Sequence, residues 1–107
     1  MTPYEEITPQ ALRARQEAGQ GPALLDVRDP WEHELVALPG AALIPLDQLE
    51  ARVEEVPAGQ EVVVYCHHGM RAAAAVQWLR AQGRPAVNLR GGIDAWAAQV
   101  DPSLPRY

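Results

Sequence analysis

Apolar positions along the chain follow two rhythms. Val62-Val63-Val64-Tyr65 is an unbroken run rich in β-branched residues, the pattern of a buried strand. Ala72, Ala75, Val76 and Leu79 follow at i, i+3, i+4 and i+7, which predicts a helix with one apolar face. The same two rhythms recur on either side. Pro3 to Ile7 reads as a short first strand. Thr8-Pro9 opens a helix, with threonine as cap and proline at the first helical position, running to about Glu17 and stopping at Gly19. Ala23, Leu24, Leu25 and Val27 make a second strand. Asp29-Pro30 opens a short helical turn over Trp31 to Leu35, and Leu38-Pro39-Gly40-Ala41 turns into a strand at Ala42 to Ile44. Asp47-Gln48-Leu49-Glu50 has the form of a capping box, predicting a helix with Leu46, Leu49, Val53 and Val56 inward. After the central strand and helix, Gly83 is a C-cap and Ala86 to Leu89 is a strand. Arg90-Gly91-Gly92 is a turn where small residues let the backbone pass close to something. Ile93, Trp96, Ala97 and Val100 mark a last helix, and Asp101 to Tyr107 an extended strap.

Alternating strands and helices predict an α/β domain with a central parallel sheet and helices on both faces. With no repeat, linker or low-complexity run, residues 1–107 read as one domain. In such sheets a ligand site lies beyond the carboxyl ends of the strands. Cys66, Asp26 with Arg28, and Arg90 with Gly91 all fall at such ends.

Composition narrows the function classes. A hydrophobic content of 48% with 21% charged residues is that of an ordinary globular chain. The net charge of −5 argues against a broad nucleic-acid or membrane-surface face, so neither partner is expected. No apolar run approaches the roughly 20 residues of a membrane span. The acidic, polar start MTPYEEITPQ lacks the form of a secretory signal, and a single cysteine agrees with a reducing compartment; both point to the cytoplasm.

The candidate chemistry sits between the central strand and its helix, in Cys66-His67-His68-Gly69-Met70-Arg71. A lone cysteine in a small domain is by default an apolar filler. A filler does not call for two histidines, a glycine and an arginine directly after it. At a helix start, free N–H groups and the helix dipole favour the thiolate, which is the nucleophilic form. Gly69 lets successive N–H groups turn inward as an anion nest, and Arg71 can stabilise an anion. Adjacent histidines rarely converge, and zinc-ligand spacing is absent, so no metal is expected; His67 and His68 read as pocket walls. Asp26 and Arg28 are either a surface ion pair at a strand end or a brace for the cysteine loop. Trp31, Trp78 and Trp96 read as core or boundary aromatics.

Several stretches together resemble a single-domain rhodanese, a thiosulfate sulfurtransferase-like protein. They are Asp26-Val27-Arg28, Glu32, Leu38-Pro39-Gly40-Ala41, Val64-Tyr65-Cys66-His67-His68-Gly69-Met70-Arg71 and Asn88-Leu89-Arg90-Gly91-Gly92-Ile93-Asp94-Ala95-Trp96. The resemblance implies a small α/β rhodanese-like fold. It implies that Cys66 takes sulfane sulfur from a small anionic donor such as thiosulfate, becomes a persulfide, and passes the sulfur to cyanide, a thiol or an acceptor protein. No cofactor is implied. Substrate contacts would fall to His67, His68, Gly69, Met70 and Arg71, with Asp26 and Arg28 behind them. Where the family commonly has Gly-His-Ile before the Pro-Gly-Ala turn, Val36, Ala37 and Leu38 stand here; changed acceptor preference or loop packing is the expected consequence. Two alternatives compete. Phosphatase or arsenate reductase chemistry uses related folds, but with a longer loop than the four residues between Cys66 and Arg71. A non-catalytic interaction module would often lack the cysteine.

Overall fold

The computed structural model describes residues 5–107. Its elements are β1 (Glu6–Ile7), α1 (Pro9–Glu17), β2 (Ala23–Asp26), α2 (Pro30–Leu35), β3 (Ala42–Leu43), β4 (Val62–Tyr65), α3 (Met70–Ala81), β5 (Ala86–Leu89) and α4 (Gly92–Gln99). The strands form one sheet in the order β1-β5-β4-β2-β3, and every pairing is parallel. β4 and β2 are neighbours whose onward connections leave in opposite directions, so the crevice beyond their carboxyl ends is the topological switch point.

Strand alternation sorts the core into two layers. Val62, Val64 and Cys66 point to the face covered by α3, where Ala72, Ala75, Val76 and Leu79 meet them. Val63 and Tyr65 point to the other face, against Leu12 of α1 and Ile93 and Trp96 of α4. Both faces of β4 are therefore apolar, which is why its sequence is a continuous run. Ala72 and Ala75 are fully buried; their small side chains let α3 lie close to the sheet. Thr8 caps α1 through Oγ1, which accepts the Ala11 N–H at 3.1 Å. No helix among the described residues is long and apolar enough to cross a membrane.

Among the described residues the first strand covers Glu6–Ile7; Pro3 and Tyr4 of the expected strand lie outside them. Two expectations need correction. The segment after β3 is two 3₁₀ turns, Leu46–Gln48 and Val53–Glu55, rather than a helix capped by Asp47. The bonds there close over three residues, Gln48 N–H to the Pro45 carbonyl at 2.8 Å and Glu55 N–H to the Arg52 carbonyl at 2.9 Å, and the Leu46 N–H is tied to the Val27 carbonyl at 3.1 Å. The inward stripe survives, because spacings near three suit a 3₁₀ turn as well as an α-helix: Leu49 and Val56 are core, Leu46 and Val53 pack against it. Finally, Trp31 is 59% exposed, whereas Trp96 is buried and Trp78 partly so.

Candidate active site

Cys66 follows the last residue of β4, and its side chain continues the alternation toward α3. Gly69 then turns the chain with φ +113°, a value open to glycine and strained for other residues. That turn brings the Gly69 N–H to 3.0 Å and the Ala72 N–H to 3.3 Å from the Cys66 sulfur. The sulfur thus sits at the amino end of α3, where unpaired N–H groups and the helix dipole favour negative charge.

The carbonyls of the same loop face a different set of donors. The Cys66 carbonyl accepts the Ile93 N–H at 2.9 Å, and the His67 carbonyl accepts the Asp94 N–H at 3.1 Å, both from the first turn of α4. Gly92, at φ +66°, makes this possible: a Cβ there would overlap those two carbonyl oxygens. This is the close backbone passage that Arg90-Gly91-Gly92 anticipates. The Gly69 carbonyl accepts from Asn88 Nδ2 of β5 at 3.1 Å. With its carbonyls held outward, the loop presents N–H groups to the sulfur.

Cys66, His67, His68, Met70 and Arg71 line one cavity of about 210 Å³. Cys66 is only 1% exposed, so its sulfur lies at the cavity's inner end rather than at its rim. Met70, 85% exposed, and His68 line both this cavity and a second of about 180 Å³ bordered by Gly69 and Asn88. The His67 and His68 rings stack at 4.0 Å. Burial, and then the neighbouring His68, lowers the His67 pKa below that of a free imidazole. His67, His68 and Asp94 carry potential metal-ligand atoms within 4.8 Å of one another. Asp94, however, is already held by Arg106 through two bonds of 2.9 and 3.0 Å, so one of the three groups is engaged in an ion pair.

Asp26 and Arg28 are no surface pair. Both are fully buried, joined by Nε to Oδ1 at 2.9 Å and Nη2 to Oδ2 at 2.7 Å. Arg28 also donates to the Val36 carbonyl at 2.6 Å and to the Tyr107 hydroxyl at 2.8 Å. Burial lowers the Arg28 pKa, but the bonds from Asp26 and Tyr107 outweigh it, so the guanidinium stays charged. His33 Nδ1 lies 2.8 Å from Asp26 Oδ2. A second pair sits nearer the cavity: Arg71 grips Glu32 with two bonds of 2.6 and 2.9 Å. Glu32 is 3% exposed. The Arg71 bonds first, and the Tyr107 hydroxyl and Asp29 N–H after them, hold its pKa down at about 2 against the cost of burial.

The profile of the rhodanese-like domain family matches residues 8–99. The chain belongs to the rhodanese-like domain family. A sulfurtransferase of Allochromatium vinosum is 38% identical over 86% of this chain and 87% of its own. The probable adenylyltransferase/sulfurtransferase MoeZ of Mycobacterium tuberculosis is 39% identical over 94% of this chain, which spans only 26% of that longer protein. The crystal structure of a rhodanese-like domain protein from Staphylococcus aureus superposes with a TM-score of 0.84 at 29% identity, covering 96% of this chain and 98% of that one. Sulfur transfer is the chemistry to which the family and these named relatives point.

Within this rhodanese-like domain, the residues singled out from sequence in the cysteine loop share one cavity wall or touch the sulfur, while Asp26 and Arg28 lie behind it. Three others escaped notice as site residues. Asn88 left a trace, as a polar residue in the buried run Ala-Val-Asn-Leu. Glu32 stood among the residues that carry the family resemblance but without a role in the site; it also accepts the Asp29 N–H at the start of α2, at 3.0 Å. Tyr107 gave no local signal.

Proposed function

We propose that this chain is a rhodanese-type sulfurtransferase that works through a persulfide on Cys66. One observation carries the reading: the Cys66 sulfur accepts two backbone N–H groups at the start of α3 and lines a small cavity. The thiolate attacks the outer, sulfane sulfur of thiosulfate. The new bond is Cys66 sulfur to sulfane sulfur; the bond that breaks is the S–S bond of thiosulfate, and sulfite leaves with its electron pair. Cyanide or a thiolate acceptor then attacks the outer sulfur of the persulfide. Thiocyanate or an acceptor persulfide departs, and Cys66 returns as thiolate. Both attacks follow the rules of thiol–disulfide exchange, and fixed N–H donors stabilise the negative sulfur without reorganising.

Each ion pair near the site is internally matched, so the N–H groups at the head of α3 are the donors available to an anionic sulfur. This weighs against phosphatase or arsenate chemistry. The fork of Arg71 that would take two oxygens of a tetrahedral oxyanion already holds Glu32. His67, His68 and Met70 would shape the approach of the donor, and a free thiol or an acceptor protein would collect the sulfur in a reducing compartment such as the cytoplasm. The test is mass spectrometry of the thiosulfate-treated protein, together with thiocyanate formation from thiosulfate and cyanide. One added sulfur on the Cys66 peptide, and no thiocyanate from a folded Cys66→Ser variant, are expected. Full thiocyanate production by Cys66→Ser would overturn the mechanism.

A further inference from the structure

Tyr107 reaches the site from the far end of the strap, where it touches His67 of the cysteine loop and both ion pairs behind that loop. Its ring stacks on His67 at 3.9 Å with the planes 8° apart. Its hydroxyl accepts from Arg28 Nη1 at 2.8 Å and donates to Glu32 Oε2 at 2.6 Å. Glu32 in turn holds Arg71. We propose that Tyr107 is a positioning residue that clamps the Cys66–Arg71 loop, holding His67 through its ring and Arg71 through Glu32. The proposal rests on the sulfur-transfer reading of this site and adds to it the element that fixes the loop's shape.

The direction of the hydroxyl proton is forced. Arg28 can only donate, and a Glu32 carboxylate of such low pKa can only accept. The phenol therefore bridges the two ion pairs as a neutral group, and burial, then Glu32, pushes its pKa up to about 12. It links the buried pair to the pair at the cavity without adding charge beside the sulfur. The strap that carries it is built to arrive there. The Asp101 N–H donates to the Trp96 carbonyl at 3.0 Å, and Leu104 packs on the core layer under α4. Arg106 grips Asp94 in the first turn of α4. Trp31 meets the Tyr107 ring edge-on at 5.8 Å. Removing the hydroxyl leaves Arg28 and Glu32 each short of a partner while the ring stack remains; removing the ring as well leaves His67 stacked on His68 alone.

Tyr107→Phe and Tyr107→Leu separate these two contributions. The measurements are kcat/KM for thiosulfate, the rate of Cys66 alkylation by iodoacetamide at pH 7, and the melting temperature of each variant. Phe is expected to lower both rates about fivefold, and Leu about fiftyfold, with rates measured well below the melting transition. A purely structural role predicts a lower melting temperature with rates per folded molecule unchanged. Rates within twofold of the parent for both variants therefore overturn the proposal, whatever happens to stability. The alkylation arm does not depend on sulfur transfer. A parent protein that forms no thiocyanate would sink the sulfurtransferase reading, and the alkylation rates of the three proteins would still decide the role of Tyr107.

Discussion

Helices α3 and α4 begin alike and do different work. Each follows a buried strand, and each starts at a glycine of positive φ, Gly69 at +113° and Gly91 at +74°. Each has free N–H groups at its start, and both sets go to the Cys66–His67 stretch. α3 sends its N–H groups to the sulfur; α4 sends one to the Cys66 carbonyl and the next to the carbonyl of His67. One helix start faces the atom whose charge must be stabilised, and the other fixes the backbone that carries it. A helix amino terminus is thus a general supply of donors, and the residue it faces decides whether it serves chemistry or architecture. α3 has a further anchor of its own, the grip of Arg71 on Glu32.

The architectural end should be the less forgiving. A Cβ at Gly92 would overlap the Cys66 and His67 carbonyls, which are backbone atoms and cannot swing aside. Left-handed backbone adds roughly 1–2 kcal/mol for any other residue. Gly92→Ala should therefore lose about 3 kcal/mol or more, or about 10–20 °C in Tm. Thermal melts monitored by circular dichroism decide this. A Gly92→Ala protein that melts within a few degrees of the parent would show that α4 does not fix the loop.

Glu32→Gln probes the second anchor of α3 and should come next. The Glu32 carboxyl is depressed from 4.5 to about 2 in the folded chain. Its stabilisation is therefore complete above pH 4.5 and is lost as pH falls toward 2. A depression of that size corresponds to at most about 3 kcal/mol. The Arg71 side chain is 37% exposed, so solvent screening brings the expectation to about 2 kcal/mol at pH 7. The gap between parent and Glu32→Gln should close as pH is lowered through that window. Urea melts at pH 7, 4 and 2.5 measure it. A gap that stays constant with pH would mean the charge of Glu32 contributes nothing to holding α3.

The sequence made much of this legible, and the reasons differ by residue. The rhythm of Val62 to Leu79 located β4, α3 and the loop between them, because a strand buried on both faces and a one-sided helix have unlike periods. Gly91-Gly92 announced a close approach, because only a missing Cβ explains two glycines there. The stretch from Leu46 to Val56 was misjudged, since periods of three and of 3.6 hardly differ over so few turns. Asp26 and Arg28 could not be ranked between surface and core, because burial of an ion pair depends on residues such as Val36 and Tyr107 that are distant in sequence. Glu32 and Tyr107 stayed hidden as site residues for the same reason. Their contacts with Arg71 and His67 exist only once the sheet has brought four separate segments to one edge.

Gly69→Ala tests the chemical side of the comparison, with the smallest expected effect on stability and a large one on reactivity. A Cβ at Gly69 would meet Asn88 Nδ2 at 3.6 Å, Gly91 N at 3.7 Å and Asn88 Oδ1 at 3.9 Å, all ordinary contact distances. Space is therefore not the obstacle, and the protein should fold. The obstacle is the backbone angle. Alanine at +113° costs about 1–2 kcal/mol, which the loop can relieve by rotating toward a more common angle. That rotation carries the Gly69 N–H away from the Cys66 sulfur and weakens one of its two donors. Loss of a fixed donor to a developing anion typically costs about 10²-fold or more; with Ala72 still in place, a fall of about 10–100-fold in kcat/KM for thiosulfate is expected, beside a Tm lower by about 5–10 °C. The comparison needs the two glycine variants to separate: Gly92→Ala should fail chiefly in stability, Gly69→Ala chiefly in rate per folded molecule. A Gly69→Ala protein with near-parental rate and a melting loss matching that of Gly92→Ala would mean that both helix starts are merely structural.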